Sequence, residues 1–268
     1  MLLEPVGPGQ RVELRDEDAA APKSLPRGDR LKEEIERLLK RFGELQTIFY
    51  ADGRRSLLVV LQGRDASGKD GVVRSVVGAA DPAGVRVNSF KTPTPVELAH
   101  DYLWRIHQVV PEKGMFGISN RSHYEDVLVV RVHDYVPKSV WSKRYEQIND
   151  FEKMLAENGT VILKFFLHVS RDEQKERLIE RVNDETKNWK FNAGDLDERN
   201  LWDDYTAAYQ DAIAKCSTKW APWYVVPSDG NKARNYLIAN TMVETLERLD
   251  LRYPEPKTDL KQYLEKLK

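Results

Sequence analysis

LLVVLQGRDASGKDG, residues 57–71, joins an uncharged apolar run to the pattern Gly-x-x-x-x-Gly-Lys, Gly63 to Lys69. A continuous apolar run of this length reads as a strand covered on both faces. The Gly63–Lys69 segment after it reads as a phosphate-binding loop, in which backbone N–H groups wrap phosphate oxygens and glycines let the backbone come close. Taken alone, the pattern would also suit a turn with a solvated lysine. The apolar strand before it and a helical pattern over 70–80 supply the context the loop requires. One position departs from the pattern: a Ser or Thr hydroxyl normally comes after the lysine, and here the residue is Asp70. A carboxylate is as hard an oxygen ligand for Mg²⁺ as a hydroxyl, and it brings a negative charge. Asp65 places a second carboxylate inside the loop. Gly63, Arg64, Ala66, Ser67, Gly68, Lys69 and Asp70 are therefore the candidate phosphate cradle. Carboxylates beside a polyanion repel it unless a cation intervenes, so Asp65 and Asp70 imply Mg²⁺ as cofactor and themselves as its ligands. Asp70 would also suit the first turn of a helix for its dipole, a reading that leaves Asp65 unexplained.

Outward from this stretch, strand patterns recur at 84–90, 114–119, 160–170 and 223–229, and helical patterns at 30–53, 94–110, 141–159, 171–184, 201–217 and 231–250. Strands alternating with helices predict an α/β fold, a three-layer α/β/α arrangement around a parallel sheet. Ligands of such sheets bind beyond the carboxyl ends of the strands. QGRDASGK, ISNRS and HVSRD all fall there. Residues 1–28, rich in Pro, Gly and charge, read as an extended arm rather than a packed element, and 251–268 as a tail with a short amphipathic helix.

Composition narrows the class of function. Among 268 residues, 32% are charged and 41% hydrophobic, and the formal net charge is −1. No global field draws such a chain to nucleic acid or membrane, so a polyanion must be met by a local cluster of Lys and Arg. The single cysteine, Cys216, cannot close an intrachain disulfide, and no run approaches a membrane span. A cytoplasmic protein is expected.

GRDASGKDG (63–71), FKTPTPVELAHDYLWR (90–105) and ISNRSHYEDVL (118–128) together resemble the family-2 polyphosphate kinases, which move phosphoryl groups between inorganic polyphosphate and nucleotides. FFLHVSRDEQKERL (165–178), RVNDETKNWKF (181–191) and TKWAPWYVVPSDGNKARN (218–235) extend the likeness over residues 30–255. The resemblance implies a thymidylate-kinase-like P-loop kinase core over 29–250, a mobile lid over about 171–200, Mg²⁺ dependence and a polyphosphate donor. It implies ADP, AMP and ATP as nucleotide partners, guanine nucleotides as further candidates, and a homo-oligomer. Asp65, Lys69 and Arg121 match its catalytic positions. Many relatives have Asp where this chain has Asn120, and Asn there looks like the mark of the subgroup that accepts AMP as well as ADP. In the lid, Arg177, Arg181, Lys187 and Lys190 would close over phosphate, although interleaved acids such as Glu173 and Glu180 would equally make this a solvated surface helix.

On the acceptor side, Lys91 at a strand end and Arg105 are candidate cations for an acceptor phosphate, with Asn120 and Glu125 beside them. Glu125, one helical turn from Arg121, would either serve the acceptor or pair with that arginine. Phe90, Tyr102 and Trp104 suit a core as well as a base. Two rivals remain at this level: a nucleoside monophosphate kinase using ATP, and a nucleotide-binding switch without phosphotransfer.

Overall fold

β1 (Ser56–Gln62) is buried at every residue. It is the middle strand of a five-stranded sheet, order β2-β3-β1-β4-β5, in the computed structural model, which describes residues 2–267. β2 (Val85–Ser89), β3 (Phe116–Asn120), β4 (Thr160–His168) and β5 (Trp223–Pro227) complete it, and every pairing is parallel. The apolar run is continuous because the pleat sends alternate residues into different cores. Leu57, Val59 and Leu61 pack with Phe42 and Phe49 of α1 (Gly28–Asp52) and with Leu237 and Met242 of α11 (Asn231–Glu247). Leu58 and Val60 pack on the other face with Ile148 and Phe151 of α7 (Arg144–Glu157) and Ala208 of α10 (Trp202–Cys216). The three-layer α/β/α expectation holds.

The remaining helices are α2 (Lys69–Ser75), α3 (Pro95–Leu98), α4 (Trp104–His107), α5 (Val129–Val132), α6 (Lys138–Trp141), α8 (Arg171–Asn183), α9 (Gly194–Asn200) and α12 (Lys261–Leu267). The single helix expected over 94–110 is two separate turns. Thr94 and Glu97 close a capping box on α3. The Asp101 carboxylate then accepts from the Leu103 N–H at 2.9 Å and starts a second turn. Val96 and Leu98 are exposed, so no buried stripe holds one long helix together.

The N-terminal arm also departs from expectation. Among the described residues before α1 the 3-10 turn at Asp16–Ala19 is the one regular element, yet Leu3, Val6, Leu14 and Leu25 are buried. The Val6 N–H donates to the Trp223 carbonyl at 2.8 Å. β5 is an edge strand with main-chain groups to satisfy, and the arm satisfies one of them.

Candidate active site

The carboxyl ends of β1, β3 and β4 lie side by side, and the three polar clusters expected there meet around the loop. Gly63 and Gly68 take φ of 153° and 100°. A side chain at Gly68 would run into the Arg234 guanidinium beneath it. Arg234, buried in α11, donates to the Asn231 side chain at 2.7 Å and reaches the Ser67 carbonyl at 3.5 Å, so it underpins the loop. Burial, with Arg177 adding to it, lowers Arg234 to about 10. Gly68→Ala should therefore both strain the backbone, by about 1–3 kcal/mol, and displace Arg234. A lowered melting temperature is expected, and an unchanged one would contradict this packing.

Lys69 begins α2 and folds across the loop, its ammonium donating to the Gly63 carbonyl at 2.6 Å and the Arg64 carbonyl at 3.0 Å. Burial and the neighbouring Arg121 lower it to about 8. Two clefts flank the loop. The first, of about 470 Å³, runs between the loop and segment 177–190 and is lined by Lys69, Arg74, Arg181, Lys187, Lys190 and Trp189. The second, of about 350 Å³, holds Arg121, Glu125, Tyr135, Tyr205, Tyr209 and Glu198. Asp65 lines both.

Asp65 and Asp70 are each engaged by a cation of segment 171–200. Arg181 Nη1 reaches Asp65 Oδ2 at 2.5 Å, and Lys190 Nζ reaches Asp70 Oδ2 at 2.9 Å. Burial pushes both carboxyls up, but Arg181 holds Asp65, and Lys190 with Asn120 holds Asp70, below the usual range. Among the described residues no cluster of three or more His, Cys, Asp or Glu side chains forms a ready metal cage. Mg²⁺ ordinarily takes one or two protein carboxylates and completes its shell with water and substrate phosphate. Two hard carboxylates beside a phosphate loop fit that donor set.

Several expected roles change once partners are visible. Arg177 bonds Glu173, the Ala66 carbonyl, and the Ser228 and Asp229 carbonyls, all at 2.7–2.8 Å. Most of its N–H groups are thereby committed, so it clamps the loop rather than offering itself to phosphate. Arg64 is buried over Trp202, 3.9 Å from the ring centroid, and bonds the Trp202 carbonyl and the Thr206 hydroxyl. Lys187 pairs with Glu180 and Asp184 of its own segment. Arg105 is buried, donates to the Lys91 carbonyl at 2.9 Å and lies over Phe90. It holds segment 90–97 in shape. Lys91 and Arg105 line a separate cavity beyond β2, not the cleft of Arg121.

Asn120 donates its amide to Asp70 Oδ1 at 2.9 Å. An aspartate there would set two carboxylates face to face, whereas the amide orients Asp70 without repulsion. Arg121 comes next in the left-handed region, φ 63°, its N–H bonded to the Leu61 carbonyl. Arg121 and Glu125 are therefore not on one helix, because the 3-10 turn starts only at His123. They share the second cleft without an ion pair. Burial lowers the Arg121 guanidinium, but Glu125 and Tyr209 raise it more.

Sequence reasoning missed Arg74, Arg234, Trp189 and the aromatic wall of α10. The Trp202, Tyr205, Tyr209 spacing is a helical stripe that could have signalled one face of a pocket. Arg234 carried no signal, since its role depends on what lies above it.

A family model described as "Polyphosphate kinase 2 (PPK2)" matches residues 27–254. The chain is 52% identical over 254 residues to a Meiothermus ruber protein named "AMP/ADP-polyphosphate phosphotransferase", covering 94% of this chain and 95% of that one. It is 41% identical to the Rhodopseudomonas palustris "ADP-polyphosphate phosphotransferase", over 93% and 91% of the two chains. Among solved structures, polyphosphate kinase 2 from Arthrobacter aurescens superposes with a TM-score of 0.91 at 39% identity, over 99% of this chain and 98% of that one.

Proposed function

The chain belongs to the polyphosphate kinase 2 family, and from that premise we propose that it transfers the terminal phosphoryl group of inorganic polyphosphate to ADP and to AMP. The observation that carries the reading is the pair of clefts divided by Asp65. One is a basic trough against the loop and lid, suited to a chain of phosphates. The other is smaller, with aromatic and acidic walls and Arg121, suited to a nucleotide.

The acceptor's phosphate oxygen attacks the terminal phosphorus in line, and the bond to the bridging oxygen of polyphosphate breaks. The attacking oxygen is already anionic, so no strong general base is needed and charge neutralisation dominates. Lys69 leaves the Gly63 and Arg64 carbonyls to track the transferring group, and Arg121 meets it from the acceptor side. Magnesium, held by Asp65 and Asp70, would supply further neutralisation between donor and acceptor. Arg181 and Lys190 turn from those carboxylates to phosphate oxygens, and lid closure around them excludes water. ATP is then the product from ADP. Acceptance of guanine nucleotides, an even-numbered homo-oligomer and a cytoplasmic location complete the reading. The first would be tested with GMP and GDP, the second by light scattering and the third by fractionation. Among the described residues no helix is long and apolar enough to cross a membrane.

Incubation with long-chain polyphosphate and Mg²⁺, separately with ADP and AMP, should yield ATP and ADP. No product with either acceptor would end the assignment. Asp65→Asn should lower kcat/KM by about 10²-fold, the scale of one preorganised charged partner, with raised Mg²⁺ restoring only part of it. Full activity of this variant without metal would remove Asp65 from the bridge.

A further inference from the structure

Trp189 stands at the rim of the basic cleft with 78% of its surface exposed. Tryptophan is usually well buried, and this ring packs into neither core. It is nonetheless held in place: the indole N–H donates to the Thr186 carbonyl at 3.0 Å. The Lys190 ammonium lies 5.1 Å from the ring centroid and 2.9 Å from Asp70, so one side chain touches both the ring and the loop. Asn231 also lines this cleft, its side-chain oxygen accepting from Arg234 at 2.7 Å.

Polyphosphate explains the cations here but not the ring, because a phosphate chain has no flat apolar face. A nucleoside triphosphate has both parts. Bases stack on exposed aromatic side chains with little sequence preference, and about 470 Å³ lies within the usual range of small-molecule sites. We propose that the basic cleft takes a nucleoside triphosphate as a second donor, its triphosphate on the loop and its base against Trp189, so that the chain also transfers a phosphoryl group from ATP to AMP without polyphosphate. The AMP phosphate oxygen bonds to the γ-phosphorus, the bond from that phosphorus to the β–γ bridging oxygen breaks, and two ADP result. This rests on the donor-cleft reading above, but its outcome is separable from it.

The test compares two donors with AMP as acceptor, ATP and inorganic tripolyphosphate, in the wild type, Trp189→Ala and Trp189→Phe. The wild type should form ADP from ATP and AMP alone. Trp189→Ala should raise KM for ATP as donor about tenfold, the loss of a stacking contact of about 1.4 kcal/mol. Trp189→Phe should keep most of the affinity, and in Trp189→Ala the rise in KM for ATP should exceed any rise for tripolyphosphate about fivefold. Absence of ATP-driven transfer in the wild type overturns the proposal, as does an equal loss with both donors, which would make Trp189 an anchor of the lid. Failure with tripolyphosphate and polyphosphate as well would instead strike at the family activity.

Discussion

Replacing Lys69 with methionine should reduce kcat by about 10²–10³-fold, or about 2.7–4 kcal/mol of transition-state stabilisation, while the protein stays folded. Methionine keeps the stem as far as Cε and removes the ammonium, with its charge and its two hydrogen bonds. The ammonium bonds loop carbonyls and touches no packed partner whose loss would unfold the domain, so circular dichroism and the melting curve should change little. Near-normal turnover in the variant would remove Lys69 from the chemistry. The same residue predicts a pH dependence. Its ammonium is lowered to about 8, first by burial and then by Arg121. In the free enzyme it loses its proton as pH rises through that value, so kcat/KM for polyphosphate should fall above about pH 8. Bound phosphate favours the charged form, so kcat should hold to higher pH. A kcat/KM that is flat to about pH 10 in the wild type, or that still falls near pH 8 in Lys69→Met, would show that Lys69 is not the titrating group.

The second large effect is on stability, far from any phosphate. Lys164, in the middle of β4, is fully buried, and its ammonium donates to Glu152 at 2.5 Å, Tyr124 OH at 2.7 Å and the Cys216 carbonyl at 2.6 Å. Those three bonds use all its N–H groups. Glu152 also accepts from Tyr124 OH at 2.9 Å and pairs with His123 Nε2 at 3.1 Å. Lys164→Met should destabilise the fold by about 3–5 kcal/mol, because it strands a buried carboxylate, and Lys164→Met with Glu152→Leu should recover much of that loss. Urea unfolding of both variants reads the difference, and a single variant as stable as the wild type would refute the account. Glu152 sets the sign with pH. Burial raises its carboxyl, but Lys164 and His123 hold it below the ordinary 4.5. A group depressed in the folded state stabilises above the unfolded value, so this contribution is present above about pH 4.5 and is lost on further acidification.

Lys164 also illustrates what a linear reading can reach. A charge inside TVILKFFLH is visible as an anomaly, but its partners stand at positions 124, 152 and 216. The Gly63–Lys69 loop was legible because its requirements are local: an apolar strand, glycines at left-handed positions and a lysine at fixed spacing. Asn120 and Arg121 were singled out through the family likeness. The side-chain partners of Arg64, Arg105 and Arg177 were not legible, for one reason. A cation next to a phosphate motif looks available in sequence, whereas buried guanidinium groups take carbonyl and aromatic partners wherever the fold supplies them.

The order of strands and helices, the place of the loop and the family come from the chain of residues alone, because periodicity and glycine geometry act over a few positions. Which carboxylate faces which cation, which arginines are spent on scaffolding and where Trp189 stands were decided by the packing of α8, α10 and α11 against the sheet. Those are contacts across more than a hundred residues, such as Arg181 with Asp65 or Arg234 beneath Ser67. Local propensity carries no information about pairs so far apart, since only burial in the finished fold sets their distance and their charge state.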